Sequence, residues 1–338
     1  MPGRRILFVR LRSLGDTVLM TPALEVVKRS EPDSLVAVVC EEPFHQVLIG
    51  NPNVDLSLTA PRRASFRQRL ELVRQVRAFG PDVAIDLHGG TTAAFLTTVS
   101  SAKLRVGYAQ SRNSYLYNST VPSSKEVWKK ESLHTVEHQL TPLLHLGLEV
   151  QPIPRLRVPV GEAELSHVDR RLAELGVVPG FLLLQPAAAF DTKQWPVEHF
   201  AGLIERIRSK GQEVVVTCGP GEEHLLDRLN SLCGSGLKTV PPGSVSDFSA
   251  LAHRSRGFIG NDTGTTHIAA ALGKPVVVIF GSSDWKVWAP WGVDYELIRA
   301  DLPCIPCPGY HCLEFERPKC ILSITEEEVF RAVERLLL

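Results

Sequence analysis

Short apolar runs bounded by glycine or proline alternate along this chain with longer segments of helical period, and this alternation constrains the fold most. It is typical of α/β domains built on a parallel sheet. In the first half, a helix is predicted at Phe66–Phe79, with Leu70, Val73 and Val76 on one face. The strands predicted in that half are Ile6–Val9, Leu35–Cys40 and Val83–Leu87.

A second series of the same kind follows a proline-bearing stretch that has no clear period. Its predicted strands are Phe181–Leu184, Glu213–Cys218, Gly257–Ile259 and Val276–Phe280. Its predicted helices lie near Val197–Ser209, Glu222–Leu232, Asp247–His253 and Thr265–Leu272. Because 338 residues are long for one domain, we predict two α/β domains. The predicted divisions are a first domain at 1–150, a linker at 151–160, a second domain at 161–324 and a C-terminal helix at 325–338.

The composition is that of a globular protein with ample core, with 44% hydrophobic and 22% charged residues. Arg10 and Arg12 interrupt the N-terminal apolar run, which is therefore too short for a signal peptide. No window reaches the roughly 18 uncharged apolar residues that a membrane span requires. Cys40, Cys218 and Cys233 stand in or beside apolar runs, as reduced thiols do. We therefore predict a cytoplasmic protein.

The formal net charge is zero, but it is divided unevenly. Residues 1–150 hold 18 Lys and Arg against 14 Asp and Glu, and residues 151–338 hold 19 against 23, so the halves carry +4 and −4. This asymmetry suits a first half that meets an anionic ligand. It is too weak to indicate nucleic-acid binding, and we predict none.

The strongest candidate site is the segment 257–275, in which a strand, a polar turn and a helix of small residues follow one another. At such a helix start, free backbone N–H groups and the positive end of the helix dipole bind phosphate. The predicted phosphate-binding residues are Asp262, Thr263, Gly264, Thr265, Thr266 and His267. The alternative is an ordinary capped turn, with Asp262 as the cap and His267 buried on the helix.

Two further turns of the second domain follow predicted strands. Lys193 lies after the first of these strands, where phosphate-binding cations stand in open α/β sheets. Glu222 lies after the second strand, where a carboxylate could hold ribose hydroxyls. A solvated lysine and an ordinary turn are the alternatives.

In the first domain, Asp16 follows Gly15 just after the first strand. Asp16 either caps a helix or acts as a general base that takes a proton from an attacking hydroxyl. The cations near this edge that could meet an acidic ligand are Arg10, Arg62, Arg63 and Arg67. Solvated arginines are the alternative.

The tail carries Cys304, Cys307, Cys312 and Cys320 within 17 residues. Four thiols so spaced can bind a tetrahedral zinc ion or an iron–sulfur cluster, although the spacing matches no particular metal motif. A reduced surface loop or an adventitious disulfide is the alternative.

Together these motifs resemble glycosyltransferase family 9, the bacterial ADP-heptose:lipopolysaccharide heptosyltransferases, over almost the whole chain. The motifs are Ser13-Leu14-Gly15-Asp16 with Thr21-Pro22-Ala23-Leu24, Lys193-x-Trp195-Pro196, Asn261-Asp262-Thr263-Gly264-x-x-His267, and the cysteine-bearing tail. One departure is Ala187-Ala188-Ala189, which stands where the family often has hydroxyl residues.

The resemblance implies a GT-B fold, in which two Rossmann-like domains face each other across a cleft and the last helix returns to the first domain. It implies inverting transfer of heptose from ADP-heptose to a lipopolysaccharide inner-core sugar, a Kdo or a heptose, with Asp16 as the general base and no required cofactor. The implied donor-binding residues are Lys193, Asp262, Thr263, Gly264, Thr265, Thr266 and His267, with Glu222 or Glu223 as the ribose-binding carboxylate. The implied acceptor-binding residues are Arg10, Ser13, Arg62, Arg63 and Arg67. A lipid-linked acceptor further implies peripheral contact with the cytoplasmic face of the inner membrane.

Other functions remain open at this point. A member of the same family could use another nucleotide sugar or acceptor. A nucleotide-sugar epimerase or hydrolase would consume the donor without an acceptor, and an inactive relative would only bind ADP-sugar. A dinucleotide dehydrogenase is disfavoured, because the first strand is followed by Arg10-Leu11-Arg12-Ser13-Leu14-Gly15, which lacks the G-x-G-x-x-G fingerprint.

Overall fold

A computed structural model describes residues 3–234, 236–241, 243–307 and 310–338. The chain forms two compact units, Met1–Pro159 and Val160–Leu338. The division falls at the end of the linker predicted at 151–160. Each unit contains a six-stranded parallel sheet with flanking helices.

The first unit has the strand order β3-β2-β1-β4-β5-β6. Its strands are β1 (Arg5–Val9), β2 (Leu35–Glu41), β3 (Leu56–Ala60), β4 (Val83–Asp86), β5 (Leu104–Tyr108) and β6 (Ser119–Val121). Its helices are α1 (Leu14–Leu19), α2 (Thr21–Ser30), α3 (Phe66–Phe79), α4 (Thr91–Val99), α5 (Ser124–Trp128) and α6 (Thr135–His145). Two 3-10 turns lie at Phe44–Leu48 and Ser114–Leu116.

The central strands of this sheet are buried on both faces, which explains why their sequences are almost continuously apolar. Helices α3 and α4 cover one face, where Leu72, Val76 and Leu96 pack into one cluster with Leu7 and Val9 of β1. Full burial of each such side chain contributes about 1.5–3 kcal/mol. The order places β1 and β4 side by side at the centre of the sheet.

The bounds predicted for α3 match the structure, and of the three residues predicted to share a face, Leu70 lies outside the buried one. Leu72 and Val76 are buried and Phe79 packs beside them, whereas Leu70 is 39% exposed. Leu72, Val76 and Phe79 are separated by four and then three residues, a spacing that follows the helical period and places all three on one face. The predicted steps of three residues drift around the helix axis. The Ser65 side chain caps the start of this helix, and Gly80 follows its last residue as the C-cap.

The second unit has the strand order β12-β11-β10-β7-β8-β9. Its strands are β7 (Leu182–Gln185), β8 (Val214–Thr217), β9 (Lys238–Val240), β10 (Gly257–Asn261), β11 (Val276–Phe280) and β12 (Tyr295–Arg299). Its helices are α7 (Glu162–Glu174), α8 (Val197–Ser209), α9 (Glu223–Cys233), α10 (Val245–Arg254), α11 (Gly264–Ala271), α12 (Trp285–Trp288), α13 (Lys319–Leu322) and α14 (Glu326–Leu337). A 3-10 turn lies at Asp191–Lys193.

Alternate residues of the second sheet enter two separate apolar clusters, because successive side chains of a strand point to opposite faces. Leu182 and Leu184 of β7 pack with residues of α8, α9 and α14. Leu183 packs with residues of α7, α10 and α11. The sheet of this unit is therefore covered by helices on both faces.

The last helix, α14, begins at a capping box formed by Thr325 and Glu328 and has three glutamates in its first turn. Its residues Val329, Phe330 and Val333 are buried in the same cluster as α8. The predicted return of this helix to the first domain stays a prediction. Among the described residues, no helix is long and apolar enough to cross a bilayer.

Candidate active site

Each sheet has a switch point, where the chain reverses the direction in which it adds strands. It lies between β1 and β4 in the first unit and between β7 and β10 in the second. Ligands of open α/β sheets bind beyond the carboxyl ends of the strands at this point. Asp16 follows β1, Lys193 follows β7 and Asp262 follows β10, so the sheet topology itself brings these predicted residues to the two switch points.

In the second unit, Lys193 and Asp262 form an ion pair in which Nζ donates to Oδ2 at 2.7 Å. Asp262 is buried, and its own backbone N–H donates to the carbonyl of Ile279 at 3.1 Å. A buried carboxylate is costly unless it is paired and hydrogen-bonded. The pair therefore fixes a lysine ammonium group beside the start of α11.

The hydroxyl groups of the turn are joined to the neighbouring strand. Thr263 and Thr265 share a hydrogen bond of 2.7 Å between their Oγ1 atoms, and Thr265 donates to Oε1 of Gln185 at 3.1 Å. Thr266 donates to the carbonyl oxygen of Asn261 at 2.7 Å. Within the described residues, Thr263 makes no side-chain cap hydrogen bond to the helix. The first backbone N–H groups of α11 therefore donate no hydrogen bond to the side chain of the N-cap residue, which is their usual acceptor.

The loop that carries Lys193 is anchored through Asn261 and Trp195. Asn261 Nδ2 donates to the carbonyl of Pro186 at 2.7 Å, and Asn261 Oδ1 accepts from the backbone N–H of Trp195 at 3.3 Å. The buried indole of Trp195 donates to the carbonyl of Ile324 at 3.0 Å. The loop is thus held to β10 and to the segment before α14.

A glycine at the end of β11 allows the same loop to approach closely. A Cβ atom added to Gly281 would lie 1.8 Å from the carbonyl oxygen of Thr192. The backbone N–H of the next residue, Ser282, donates to that oxygen at 3.1 Å, and the Ser282 hydroxyl donates to the Thr192 hydroxyl at 2.9 Å. No larger residue at Gly281 can keep this contact.

In the first unit, the Asp16 carboxylate is held by three groups. Oδ2 accepts from the backbone N–H of Ser13 at 3.0 Å and from its hydroxyl at 2.9 Å, which forms the capping box of α1. Oδ1 is paired with the Arg10 guanidinium, which also donates to the carbonyl of Leu87 at the end of β4. Asp16 is therefore both a cap and an oriented carboxylate at the switch point.

A second buried carboxylate, Asp86, ends β4 beside this cluster. It accepts from the backbone N–H groups of His88 and Gly89 and from the hydroxyl of Tyr117, each at 2.7 Å. Burial raises the pKa of Asp86, and these donors oppose the rise. Burial and the nearby Arg10 charge lower the pKa of His88.

His138 of α6 is half-buried near this charge cluster. Its ring stacks on Tyr108, with centroids 4.4 Å apart, and its Nδ1 is 2.7 Å from the Ser124 hydroxyl. Burial, followed by the Arg10 charge, lowers the pKa of His138 to about 4. The ring is therefore neutral near pH 7.

Glu41, the last residue of β2, is buried and pairs with two arginines. Its distance is 3.1 Å to Arg12 and 3.5 Å to Arg62. Arg62 also lies over the Phe44 ring, 5.6 Å from its centroid. Glu41 thus tethers two cations whose own side chains are largely exposed.

Comparison with known proteins agrees with this architecture. The sequence profile of glycosyltransferase family 9 (heptosyltransferase) matches residues 69–316 of the chain. The chain belongs to glycosyltransferase family 9. It is thus a glycosyltransferase, as predicted.

Two relatives of this glycosyltransferase are similar over nearly their full lengths. Lipopolysaccharide heptosyltransferase 3 of Escherichia coli K12 is 27% identical over 345 residues, covering 97% of this chain and 96% of the relative. Lipopolysaccharide heptosyltransferase 1 of Pseudomonas aeruginosa is 25% identical over 370 residues, covering 99% and 98%.

Solved structures establish the fold. A family 9 glycosyl transferase from Veillonella parvula has a TM-score of 0.85 at 20% identity, covering 99% of this chain and 98% of that one. The E. coli heptosyltransferase WaaC with ADP has a TM-score of 0.76 at 22% identity, covering 98% and 99%. The predicted GT-B class, with two Rossmann-like domains, is confirmed.

The remaining predicted residues of the glycosyltransferase lie at the same sheet edges. Glu222 stands before α9, where its Oε2 accepts from the backbone N–H of Gly219 at 2.7 Å. His267 is buried on α11. Arg63 and Arg67 are exposed at the start of α3. The roles predicted for all these residues stay predictions.

Three functional candidates were not identified from the sequence, and they share one signal. Each is a polar residue at the last position of an otherwise apolar strand, and each is buried: Glu41, Asp86 and Gln185. Burial of such a group requires hydrogen-bond partners. For Glu41 and Gln185 these partners include the predicted residues Arg62 and Thr265. A polar residue that ends a buried strand would have indicated them.

The four tail cysteines are free thiols. Cys320 is buried, its burial raises its pKa, and the other three thiols lie near enough to contribute to that rise. Within the described ranges, however, no group of three or more His, Cys, Asp or Glu side chains is arranged to hold a metal ion. The predicted zinc or iron–sulfur site is therefore not formed by the described cysteine side chains in this structure.

Proposed function

We propose that this glycosyltransferase transfers heptose, with inversion, from ADP-heptose to an inner-core sugar of lipopolysaccharide, a Kdo or a heptose. The observation that carries the proposal is the Lys193–Asp262 ion pair at the start of α11, beyond the switch point of the second sheet. A fixed ammonium group beside free helix N–H groups suits a diphosphate. Relatives named lipopolysaccharide heptosyltransferases, and a solved relative with ADP, support the sugar and the nucleotide.

The donor half of the reaction is assigned to the second unit. Lys193 and the first N–H groups of α11 would stabilise the negative charge that develops on the leaving ADP. The hydroxyls of Thr263, Thr265 and Thr266 would add donors to the diphosphate, while Glu222 would bind the ribose hydroxyls. The Asp262 carboxylate keeps Lys193 in place before the donor arrives.

The acceptor half is assigned to the first unit. Asp16 would take the proton of an acceptor hydroxyl while that oxygen bonds to the anomeric carbon of the heptose and the bond to ADP breaks. Ser13 and Arg10 both contact the Asp16 carboxylate, so we assign them to orienting it. Orientation of this kind lowers the barrier because less freedom is lost in the transition state.

Arg62, Arg63 and Arg67 are assigned to the acidic groups of the acceptor. All three side chains are exposed, and Arg62 is tethered by Glu41. A planar guanidinium group binds a carboxylate or phosphate through two parallel hydrogen bonds. Because such an acceptor is carried by a lipid, we propose peripheral contact with the cytoplasmic face of the inner membrane.

The test compares Asp16→Asn with Lys193→Met in the full chain. Asp16→Asn keeps the size of the side chain and removes the base, so transfer should fall by roughly 10²–10⁴-fold while ADP binding is unchanged. Lys193→Met should weaken ADP binding, because the ammonium group is lost. Turnover is measured with ADP-heptose and an inner-core acceptor, and ADP binding by calorimetry.

Thermal melting controls for folding, since Asp16→Asn removes a charge that is paired with Arg10. Transfer by folded Asp16→Asn protein at the wild-type rate would eliminate Asp16 as the base. Donor consumption by the wild type without any acceptor would indicate an epimerase or a hydrolase. ADP binding without transfer to any acceptor would indicate an inactive binding protein.

A further inference from the structure

The first unit exposes large apolar side chains on elements that touch one another. Phe66 on α3 is 80% exposed, Phe95 on α4 is 51% exposed, and Tyr115 in the 3-10 turn is 79% exposed. Helix α3 contacts α4, and α4 contacts the turn at Ser114–Leu116. Exposed apolar groups on contiguous elements mark an interaction surface more often than scattered ones do. We call the exposed side of α3, α4 and this turn the α3–α4 surface.

The same surface is strongly cationic. Residues 61–79 contain six arginines against one glutamate, a net charge of +5 in a chain whose total is zero. Helix α4 has no charged residue, and residues 109–116, which include the turn, contain Arg112 and no Asp or Glu. Arg67, Arg69 and Arg112 are among the exposed members. A partner of this surface must therefore be anionic.

The first two turns of α3 show how the two features are interleaved. Phe66 and Leu70, four residues apart, share a helix face and are both exposed, and Arg67 and Arg69 lie between them in sequence. The buried face of α3 begins only at Leu72. A helix start with aromatic and aliphatic groups flanked by arginines is typical of segments that lie in a lipid headgroup layer.

We propose that the α3–α4 surface binds an anionic lipid bilayer. Arg69 and Arg112 contact headgroup phosphates, and Phe66, Leu70 and Phe95 enter the outer part of the acyl layer. The inference deepens the proposed function, since it identifies the surface that would bring the enzyme to a lipid-linked acceptor. It names a surface apart from Asp16 and the donor turn.

A second exposed apolar segment in the chain differs in charge and provides a control. Leu313 is 78% exposed and Phe315 is also exposed, but they alternate with Glu314 and Glu316. Acidic groups are repelled by an anionic bilayer. Apolar exposure is thus similar at the two places, while the sign of the charge is opposite.

The experiment measures sedimentation of the full-length protein with vesicles. Wild-type protein should bind vesicles of phosphatidylethanolamine and phosphatidylglycerol far better than vesicles of phosphatidylcholine, and added salt should weaken the binding. Arg69→Gln with Arg112→Gln should lower the partition coefficient by roughly 25-fold, at about fivefold for each arginine. Phe66→Ser should lower it by roughly tenfold.

Two variants serve as matched controls. Arg170→Gln with Arg228→Gln removes two exposed arginines from the second unit and should leave vesicle binding unchanged. Leu313→Ser should also leave it unchanged. Equal binding to both vesicle types, or full binding by the Arg69 and Arg112 double variant, would overturn the proposal. Binding of a DNA oligonucleotide in place of vesicles, with the same loss in the variants, would overturn it as well.

Transfer and vesicle-binding assays on the same variants distinguish a failure of this proposal from a failure of the proposed function. The Arg69 and Arg112 double variant should transfer heptose to a deacylated, water-soluble inner-core acceptor at the wild-type rate. Asp16→Asn should bind vesicles like the wild type and fail in transfer. Loss of vesicle discrimination with intact transfer would contradict the membrane surface alone, and absence of transfer with normal vesicle binding would contradict the proposed function alone.

Discussion

Two residues that the proposed reaction requires are held by buried ion pairs before any substrate arrives. Lys193 is bonded to Asp262, and Asp16 is bonded to Arg10. Each pair costs desolvation energy, and removal of one partner leaves the other charge buried and uncompensated. The pairs thus fix the direction of an ammonium group and of a carboxylate.

At the residue scale, His138 gives a prediction about acid stability. Its pKa is about 4 in the folded protein, against 6.5 for an ordinary histidine in an unfolded chain. The folded state therefore binds the proton more weakly than the unfolded chain does. The free energy of unfolding is highest above about pH 6.5, where the ring is neutral in both states, and it decreases as the pH falls toward 4. Near pH 5 the loss is about 2 kcal/mol.

The measurement is the free energy of unfolding in guanidinium chloride, near pH 7 and near pH 5. His138→Phe retains an aromatic ring for the stack on Tyr108 and should lose less stability between these pH values than the wild type. His145→Phe, an exposed histidine on the same helix, is the control and should behave like the wild type. An identical pH dependence of all three proteins would refute the role of His138.

At the scale of elements, the donor site depends on loops that meet at the carboxyl edge of the second sheet. The 3-10 turn at Asp191–Lys193 touches the end of β11 through Thr192 and Ser282. Because Gly281 lies against the Thr192 carbonyl, the turn can come this close only if position 281 has no side chain. The position of Lys193 is therefore set by a residue 88 positions away in sequence.

Gly281→Ala should displace this turn, since the added Cβ would lie 1.8 Å from a carbonyl oxygen. We expect kcat/KM for transfer to fall by about 10²-fold, which is the usual effect of misplacing a binding group by roughly 1 Å. Overpacking should also lower stability by about 1–3 kcal/mol. Steady-state kinetics and thermal melting measure the two effects. Ser283→Ala, two residues along the same loop, adds no volume and is the control; wild-type kinetics in Gly281→Ala would show that the contact is unimportant.

At the scale of the whole molecule, each unit contains its own sheet and its own apolar clusters. All the donor-binding candidates lie between Gln185 and Ser282, within the second unit. A compact unit with its own core can fold alone. The donor site should therefore survive in the isolated second unit.

A protein of residues 160–338 should unfold cooperatively and bind ADP within about tenfold of the full chain, a difference below roughly 1.4 kcal/mol. It should catalyse no transfer, because Asp16 is absent. Circular dichroism and calorimetry measure folding and binding, and residues 1–159 serve as the control that should not bind ADP. A folded second unit that fails to bind ADP would place part of the donor site in the first unit.

Local sequence patterns were enough to predict the fold class and the bounds of several helices and strands. Helices α3 and α8 and strand β11 begin and end where the periodicity predicts. The hydrophobic period and the turn residues that bound these elements depend only on residues close together in sequence. Strands β3, β6, β9 and β12 were not predicted. They are short or half-exposed strands away from the sheet centre, and the pairing that makes them strands comes from a neighbour distant in sequence.

Which charges meet depends on the tertiary fold. The sequence offered Asp16, Arg10, Lys193 and Asp262 as separate candidates, and the strand order brought them into two pairs at the switch points. The structure also shows that Arg10, which was predicted to bind the acceptor, forms an ion pair with Asp16. Strand order and burial depend on contacts between residues far apart in the chain, so no local pattern could have supplied them.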